Sequence, residues 1–568
     1  MVARLPVGVV TATSCNPSSP APALQTQVYI YETHSGAPKK VVPLPQNRHN
    51  LTYPVSEVTP SPLSKQAAVH ATTGRTLTPT KDALVSSEEW MSLLESLKWP
   101  SPNKIVSSPN EATDPTKCSY DVIGLQKSYT LGDFLHVLVV ARDTSGRLKT
   151  HGGDFFQAKL HNSQLKASTF GLVKDHLNGT YTVRFSLLWP GATHVSVRLV
   201  HSSEAVQVLS RQREQDPDKV VFYGYFVDGG RTEQVVCNAQ QSPWLFGDGT
   251  SCCCRYRDPV TGESWFCRRP NSLPCSTLTD HSMGRYQAKL SSLDASILHK
   301  DKTNINVPGR DPEILVLPHD INTQTPACQP GLDTPVPAGF YFQDHWTSLV
   351  CRSRAFNTAS LVSACLKDKQ VHMMGDSTLR QWFEYLESAV PALKRLNLHT
   401  SALSGPLEAV DPESNMILNW RAHGLPLRTS RTPIADLHYI GREIDGLAGG
   451  QHTIIVFNIW AHFTTYPVGA YMHRLATIRK AITSLLQRAP STLVVIKSAN
   501  TGYKDVYGSD WLSWQLDLTL RAMFKGLPVV FIDVWQMTSC HYSPDNIHPA
   551  KEVIRNEVDL FLSFVCPQ

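Results

Sequence analysis

Between residues 118 and 209, apolar and polar positions alternate in short runs at 134–140, 155–160, 181–187 and 195–200. Period-two alternation marks strands that bury one face. Thr144-Ser145-Gly146, His151-Gly152-Gly153 and Leu177-Asn178-Gly179 separate the runs with turn residues. Strands of this length and spacing predict an all-β, Ig-like sandwich. Past Cys365 the period changes. Strand-length apolar runs at 370–374, 453–458, 492–497 and 529–534 are interleaved with helical faces, one of Leu475, Ile478, Ile482, Leu485 and Leu486, another of Leu512, Leu516, Leu520 and Phe524. Strand and helix in alternation predict an α/β domain with a mostly parallel sheet.

The remaining stretches divide the chain further. Residues 1–85 are rich in Pro, Ser and Thr without a period, the composition of a flexible arm. Ser87, Glu88 and Glu89 followed by Trp90, Leu93, Leu94 and Leu97 predict a short capped amphipathic helix ending before Pro100 and docking on the domain next to it in sequence. The sandwich is placed at 86–235, a Cys-rich linker at 236–340 and the α/β domain at 341–568. Cys237, Cys252, Cys253, Cys254, Cys267 and Cys275 lie among Gly, Pro and Asp, with too few apolar residues for a separate core. Disulfides would supply the missing stability; zinc, with His281 nearby, is the competing reading, but no CxxC pair is present and no metal site is expected.

Charge narrows the function. A formal net charge of +5 over 568 residues, with no basic runs, argues against nucleic acid. Thirteen cysteines and two sequons, at Asn50 and Asn178, fit glycosylation and an oxidising compartment, either secreted or in the lumen of the Golgi or ER. No signal peptide is evident at the N-terminus, where Arg4 precedes only a short apolar stretch. No run of 18 apolar residues suggests a membrane span.

The chemistry concentrates at two motifs. Met373-Met374-Gly375-Asp376-Ser377 comes after the first α/β strand and opens a helix. Gly375 permits a sharp turn there, and the helix N-terminus, with Asp376 beside it, directs N–H groups toward an oxygen near Ser377. Ser543-Pro544-Asp545-Asn546-Ile547-His548-Pro549 comes after the last strand. Both lie where the carboxyl ends of strands gather ligands in open α/β sheets. Ser377 is the expected nucleophile, His548 its base and Asp545 the acid that orients the imidazole. Asn458 and His462, delivered by a neighbouring strand, are candidate oxyanion donors, with core packing or strand capping an equal alternative; His423 and Gly424, in a loop cluster with Trp420 and Arg421, line a substrate wall or are plain structure, the two weighing evenly.

These residues resemble the neurexophilin and PC-esterase domain (NXPE) proteins from about Cys118 onward. In the sandwich the likeness rests on Gly132-Asp133, Gly152-Gly153-Asp154-Phe155, Asn178-Gly179-Thr180-Tyr181 and the run 199–206. In the linker it rests on Gly262-Glu263-Ser264-Trp265-Phe266-Cys267 and Leu273-Pro274-Cys275. Gly375-Asp376-Ser377 and Asp545-Asn546-Ile547-His548 resemble the nucleophile and DxxH blocks of the PC-esterase group, relatives of plant trichome birefringence-like proteins and sialate O-acetyltransferases. The resemblance implies a neurexophilin-like sandwich and an SGNH/GDSL-like domain.

It also implies a carbohydrate O-acetyltransferase or acetylesterase acting on cell-surface or secreted glycans. No tightly bound cofactor is expected; a transferase would use an acetyl donor such as acetyl-CoA. Where the usual third SGNH block reads Gly-x-Asn-Asp, this chain has Trp460-Ala461-His462-Phe463, which makes His462 the counterpart of the asparagine. The competing expectation is a secreted binding glycoprotein, with a cell-surface receptor on its sandwich and a non-catalytic esterase-like domain. Lipid hydrolysis ranks behind both, because no amphipathic basic helix or apolar lid is evident.

Overall fold

The computed structural model describes residues 84–102, 106–247, 252–320, 325–502, 504–544 and 546–568. The expected arm apart from residues 84 and 85, the sequon at Asn50 and the expected orienting acid Asp545 all lie outside the described residues.

Two sheets form the β-rich N-terminal region. One runs, in spatial order, Ser119–Val122, Phe134–Val140, Thr180–Ser186 and Leu172–Asp175. The other centres on Phe155–Asn162, between Ala167–Phe170 and Gly191–His201. The alternation explains the core between them: Leu135, Val137, Val139, Val183 and Phe185 meet Ala158, Leu160, Val195 and Val197, all buried. The second sheet also recruits Ile314–Leu317 at one side and the hairpin Gly339–Phe342 with His345–Ser348 at the other. Asn178 is exposed in its hairpin turn, as glycosylation requires.

The stretch expected to be a linker shares a third sheet with residues 220–235, which were expected in the sandwich, and with a short strand of the α/β domain. Cys253–Arg257, Ser264–Arg268, Arg231–Asn238, Val220–Asp228, Leu278–Tyr286 and Thr432–Pro433 lie side by side in an antiparallel array. Too few apolar residues for a separate core did not preclude folding, because Phe222, Phe226 and Trp265 join the core of the α/β domain. Disulfides Cys237–Cys267 and Cys254–Cys275 staple this sheet, and Cys252 pairs with Cys253. The cysteines weighed as zinc ligands are therefore bonded to one another, and His281 instead stacks on Phe222 and hydrogen-bonds through Nε2 to the Leu427 carbonyl.

The helix Ser87–Ser96 is capped by Ser86, one residue before the expected start. It docks on the α/β domain and not on the sandwich next to it in sequence: Glu89 pairs with Arg479, and Leu93 and Leu97 are buried in the α/β core. Trp99 then bridges, donating from Nε1 to the Gly153 carbonyl at 2.8 Å and standing edge-on to both Phe155 and Trp511.

The mixed α/β C-terminal region has one sheet in the order Lys394–Arg395, Leu407–Asp411, Met416–Ala422, Gln370–Gly375, Thr453–Phe457, Leu493–Lys497 and Val530–Ile532. The last five strands are parallel and the first two antiparallel. Helices Val468–Arg488 and Asp510–Phe524 carry the two apolar faces read from sequence. Cys365–Cys566 ties the last helix, Lys551–Val565, to the helix before the first strand, closing a loop of 201 residues. In a chain-entropy account such a closure contributes about 5 kcal/mol. No helix among the described residues is long and apolar enough to cross a membrane. The disulfides fit a secreted or secretory-pathway protein.

Candidate active site

The parallel strands deliver their carboxyl ends to one edge, and the reactive side chains collect there. Gln370–Gly375 ends in Asp376, which caps the helix Ser377–Ala389 by accepting from the Thr378 N–H at 2.9 Å. Ser377 is thus the first helical residue, and its N–H is among those that no helical carbonyl accepts. Ser377 Oγ lies 2.7 Å from His548 Nε2 although 171 residues separate them. Ser377 is half-buried and His548 exposed, so the pair opens to solvent. Burial nonetheless lowers the His548 pKa, against the opposing pull of the Asp376 carboxylate; His548 therefore favours the neutral form that can accept a proton.

A buried polar network holds the serine turn from behind. Asn458, at the end of Thr453–Phe457, accepts the Asp376 N–H on Oδ1 at 2.9 Å and donates from Nδ2 to Asp376 Oδ1 at 2.9 Å and Thr378 Oγ1 at 2.8 Å. Its amide is engaged inward, the structural one of the two roles left open for it. A Cβ on Gly375 would sit 1.8 Å from Asn458 Oδ1, so glycine there permits this close approach. Beneath lies Lys497, fully buried, bonded to Asn500 and 3.9 Å from Glu557, which accepts the Trp382 indole N–H at 2.6 Å. Burial lowers the Lys497 pKa and raises that of Glu557, each opposed by the other's charge.

The histidine loop is held from the same side. Asn500 Nδ2 donates to the Ile547 carbonyl at 2.9 Å, and Gly502, with φ near +137°, packs so closely on Asn546 and Ile547 that a Cβ would fall 2.3 Å from the Ile547 nitrogen. Lys497, Asn500, Gly502, Thr378 and Glu557 escaped the sequence reading. Only Lys497, a charge ending the apolar run 492–497, left a visible sign.

The remaining candidates divide. His462 Nδ1 accepts the Arg428 backbone N–H at 2.7 Å. An amide nitrogen only donates, so the neutral ring carries its proton on Nε2. Burial drives the His462 pKa well below the ordinary range, keeping it neutral, and neighbouring His423 and the Arg428 charge act in the same direction. The loop bearing it lies against the serine turn, with Ala461 N 3.4 Å from Asp376 Oδ2. His423 is fully buried, edge-on to His462 with ring centroids 5.0 Å apart, and burial lowers its pKa to about 4. Gly424 has φ near +79° and packs on the His438 carbonyl. Of the two roles left open for this cluster, His423 and Gly424 take the structural one, packing behind His462, and Trp420 and Arg421 belong to the strand Met416–Ala422 and not to a loop. Among the described residues, no cluster of His, Cys, Asp or Glu is arranged to hold a metal.

Two family models match the chain. One, described as Neurexophilin, matches residues 104–293; the other, described as NXPE family member 4-like, C-terminal domain, matches residues 346–566. The first takes in the sandwich and most of the disulfide-stapled sheet, the second both Ser377 and His548.

Proposed function

We infer that this chain, which belongs to the NXPE family, is a serine-dependent acyl-transfer enzyme acting on O-acetyl groups of cell-surface or secreted glycans. Its C-terminal domain is PC-esterase-like, and we assign that domain the SGNH type of site. The observation that carries the reading is the 2.7 Å contact between Ser377 Oγ and His548 Nε2 at the carboxyl edge of a parallel sheet. In the proposed mechanism Ser377 Oγ attacks the acetyl carbonyl while His548 Nε2 takes the hydroxyl proton. The negative charge passes to the carbonyl oxygen, stabilised by the Ser377 N–H and the Nε2–H of His462. Collapse expels the donor's leaving group, which takes the proton back from His548, and leaves an acetyl-serine. An incoming hydroxyl then gives its proton to His548 and attacks the acetyl-serine; the bond from the acetyl carbon to Ser377 Oγ breaks and Oγ takes that proton back from His548, a sugar hydroxyl completing transfer and water completing hydrolysis. Asp545 is assigned the role of fixing the imidazole. The exposure of His548 suits an acceptor carried on a large glycan.

Wild type and Ser377→Ala, secreted from a eukaryotic host, would be given acetyl-CoA or a simple acetyl ester with sialylated and other glycans and followed by mass spectrometry. The reading expects acetate gained or lost by the glycan only with wild type. Equal behaviour of two folded proteins would favour the binding glycoprotein. That second reading draws on the outward face of the first sheet, where Phe134 and Leu138 are exposed and Arg184 lies over the Phe134 ring.

A further inference from the structure

Resting on that reading, we propose that Lys159 of the sandwich is a positioning residue for the His548 loop, so that the sandwich is a working part of the catalytic centre. Lys159 sits in the strand Phe155–Asn162, and burying a lysine there is costly without partners. Its Nζ donates to the His541 carbonyl at 2.8 Å across 382 residues of sequence. His541 is the C-cap of the helix Val534–Cys540, where the last carbonyls lack helical donors and a cation meets the negative end of the helix dipole. The segment that leaves this cap is the one that carries His548.

Further contacts fix the same corner. The His541 ring stands edge-on to Tyr341, which belongs to a strand of the sandwich sheet, with centroids 4.8 Å apart. His541 Nδ1 accepts the Ser543 N–H, which puts the ring proton on Nε2, 3.4 Å from Asp344 Oδ1. Asp344 Oδ2 in turn accepts from Tyr542 at 3.1 Å and from Lys166 at 2.6 Å. The loop is therefore gripped at both ends by different domains: residues 541 and 542 by the sandwich sheet, and Ile547 by Asn500 and Gly502 of the α/β domain. Anchored at both ends, the loop holds His548 at its distance from Ser377, and displacing a reacting group by about 1 Å costs on the order of 100-fold in rate.

The test uses the full chain with p-nitrophenyl acetate as substrate. Lys159→Met keeps most of the unbranched side chain and removes the donor. We expect kcat to fall at least tenfold with KM within about twofold, and the acid limb of kcat/KM to move up toward the ordinary imidazole range as His548 loses burial. Lys159→Arg, which restores a donor, should recover most of the loss. Turnover of Lys159→Met within twofold of wild type would overturn the proposal, as would failure of the arginine variant to differ from the methionine one. If Lys159→Met does not fold, Tyr542→Phe, which removes one hydroxyl at the exposed side of the same grip, is expected to lower kcat severalfold, and unchanged kcat overturns the proposal equally. Ser377→Ala runs in parallel. Wild-type turnover that survives that substitution defeats the parent reading and this one with it, whereas Ser377-dependent turnover indifferent to Lys159 defeats this one alone.

Discussion

The sandwich and the α/β domain each bury a polar network under a motif that family resemblance picks out, and the two networks end differently. In the sandwich, Asp154 is fully buried, accepting from Ser203 N–H at 2.7 Å and Tyr181 OH at 3.0 Å. Lys149 donates to Glu204 at 2.6 Å, and Glu204 also accepts the Thr113 N–H. These groups satisfy one another within the fold. In the α/β domain, Asn458, Thr378, Lys497 and Glu557 are just as buried, but the network they form holds Asp376, and the next residue is a half-buried serine 2.7 Å from an exposed imidazole. A conspicuous motif with buried charge is thus no sign of chemistry by itself. What separates the two is whether the network terminates at a group that substrate can reach.

Breaking the reactive end should give the largest effect. Ser377→Ala and His548→Ala are each expected to lower kcat by about 10⁴-fold or more, and the double variant to be little worse than either, since the pair acts as a unit. Steady-state kinetics of the three variants checks this, and additive losses would argue against a shared step. Asn458→Ala acts from behind the serine turn. It strips the Asp376 carboxylate of a donor and its N–H of an acceptor, so activity should fall by about 10²-fold and stability by roughly 1–3 kcal/mol, read by kinetics and chemical denaturation together. The matching cut in the sandwich, Asp154→Ala, leaves the Ser203 N–H and the Tyr181 hydroxyl short of an acceptor. It is expected to cost about 2–4 kcal/mol of stability while kcat of the folded fraction stays unchanged. A direct loss of kcat there would erase the contrast between the two networks.

The same contrast governs what could be read from sequence. Strands with one buried face announced themselves through alternation, as at Phe134–Val140, and the α/β helices through their apolar faces. Ser377 and His548 were legible because turn chemistry flanks them. The sheet over 220–286 was not: Cys253–Arg257 and Ser264–Arg268 mix Cys, Arg and Ser and carry little hydrophobic signal. Although Val220–Asp228 is apolar enough to mark a strand, nothing in it shows that its partners are the Cys-rich segments and that its face is buried on another domain. Asn458 was noticed with its role open: a strand-end asparagine looks the same whether its amide faces a substrate or the turn beside it. Gly502 and Asn500 gave no signal at all, since their importance lies in backbone approach and a single bond across the fold.

The smallest expected effect is also the most specific to the reactive end. If His548 is the base, the acid limb of kcat/KM reports its protonation: the charged imidazole cannot accept the serine proton, so activity rises with pH through the pKa of His548 in the free enzyme. Burial places that pKa below the ordinary imidazole value, so the limb should lie lower than an unperturbed histidine would give. Two side chains on the helix that Ser377 opens act on it with opposite sign, Glu384 raising the pKa and Arg380 lowering it. Glu384→Gln should therefore move the limb to lower pH and Arg380→Gln to higher pH, each by well under a pH unit, because the two side chains pair with each other at 3.1 Å and partly cancel, and less at high salt, because Glu384 is exposed. Displacements in opposite directions identify the titrating group as one near that helix. Substituting charges around Asp154 in the sandwich should leave the limb where it is.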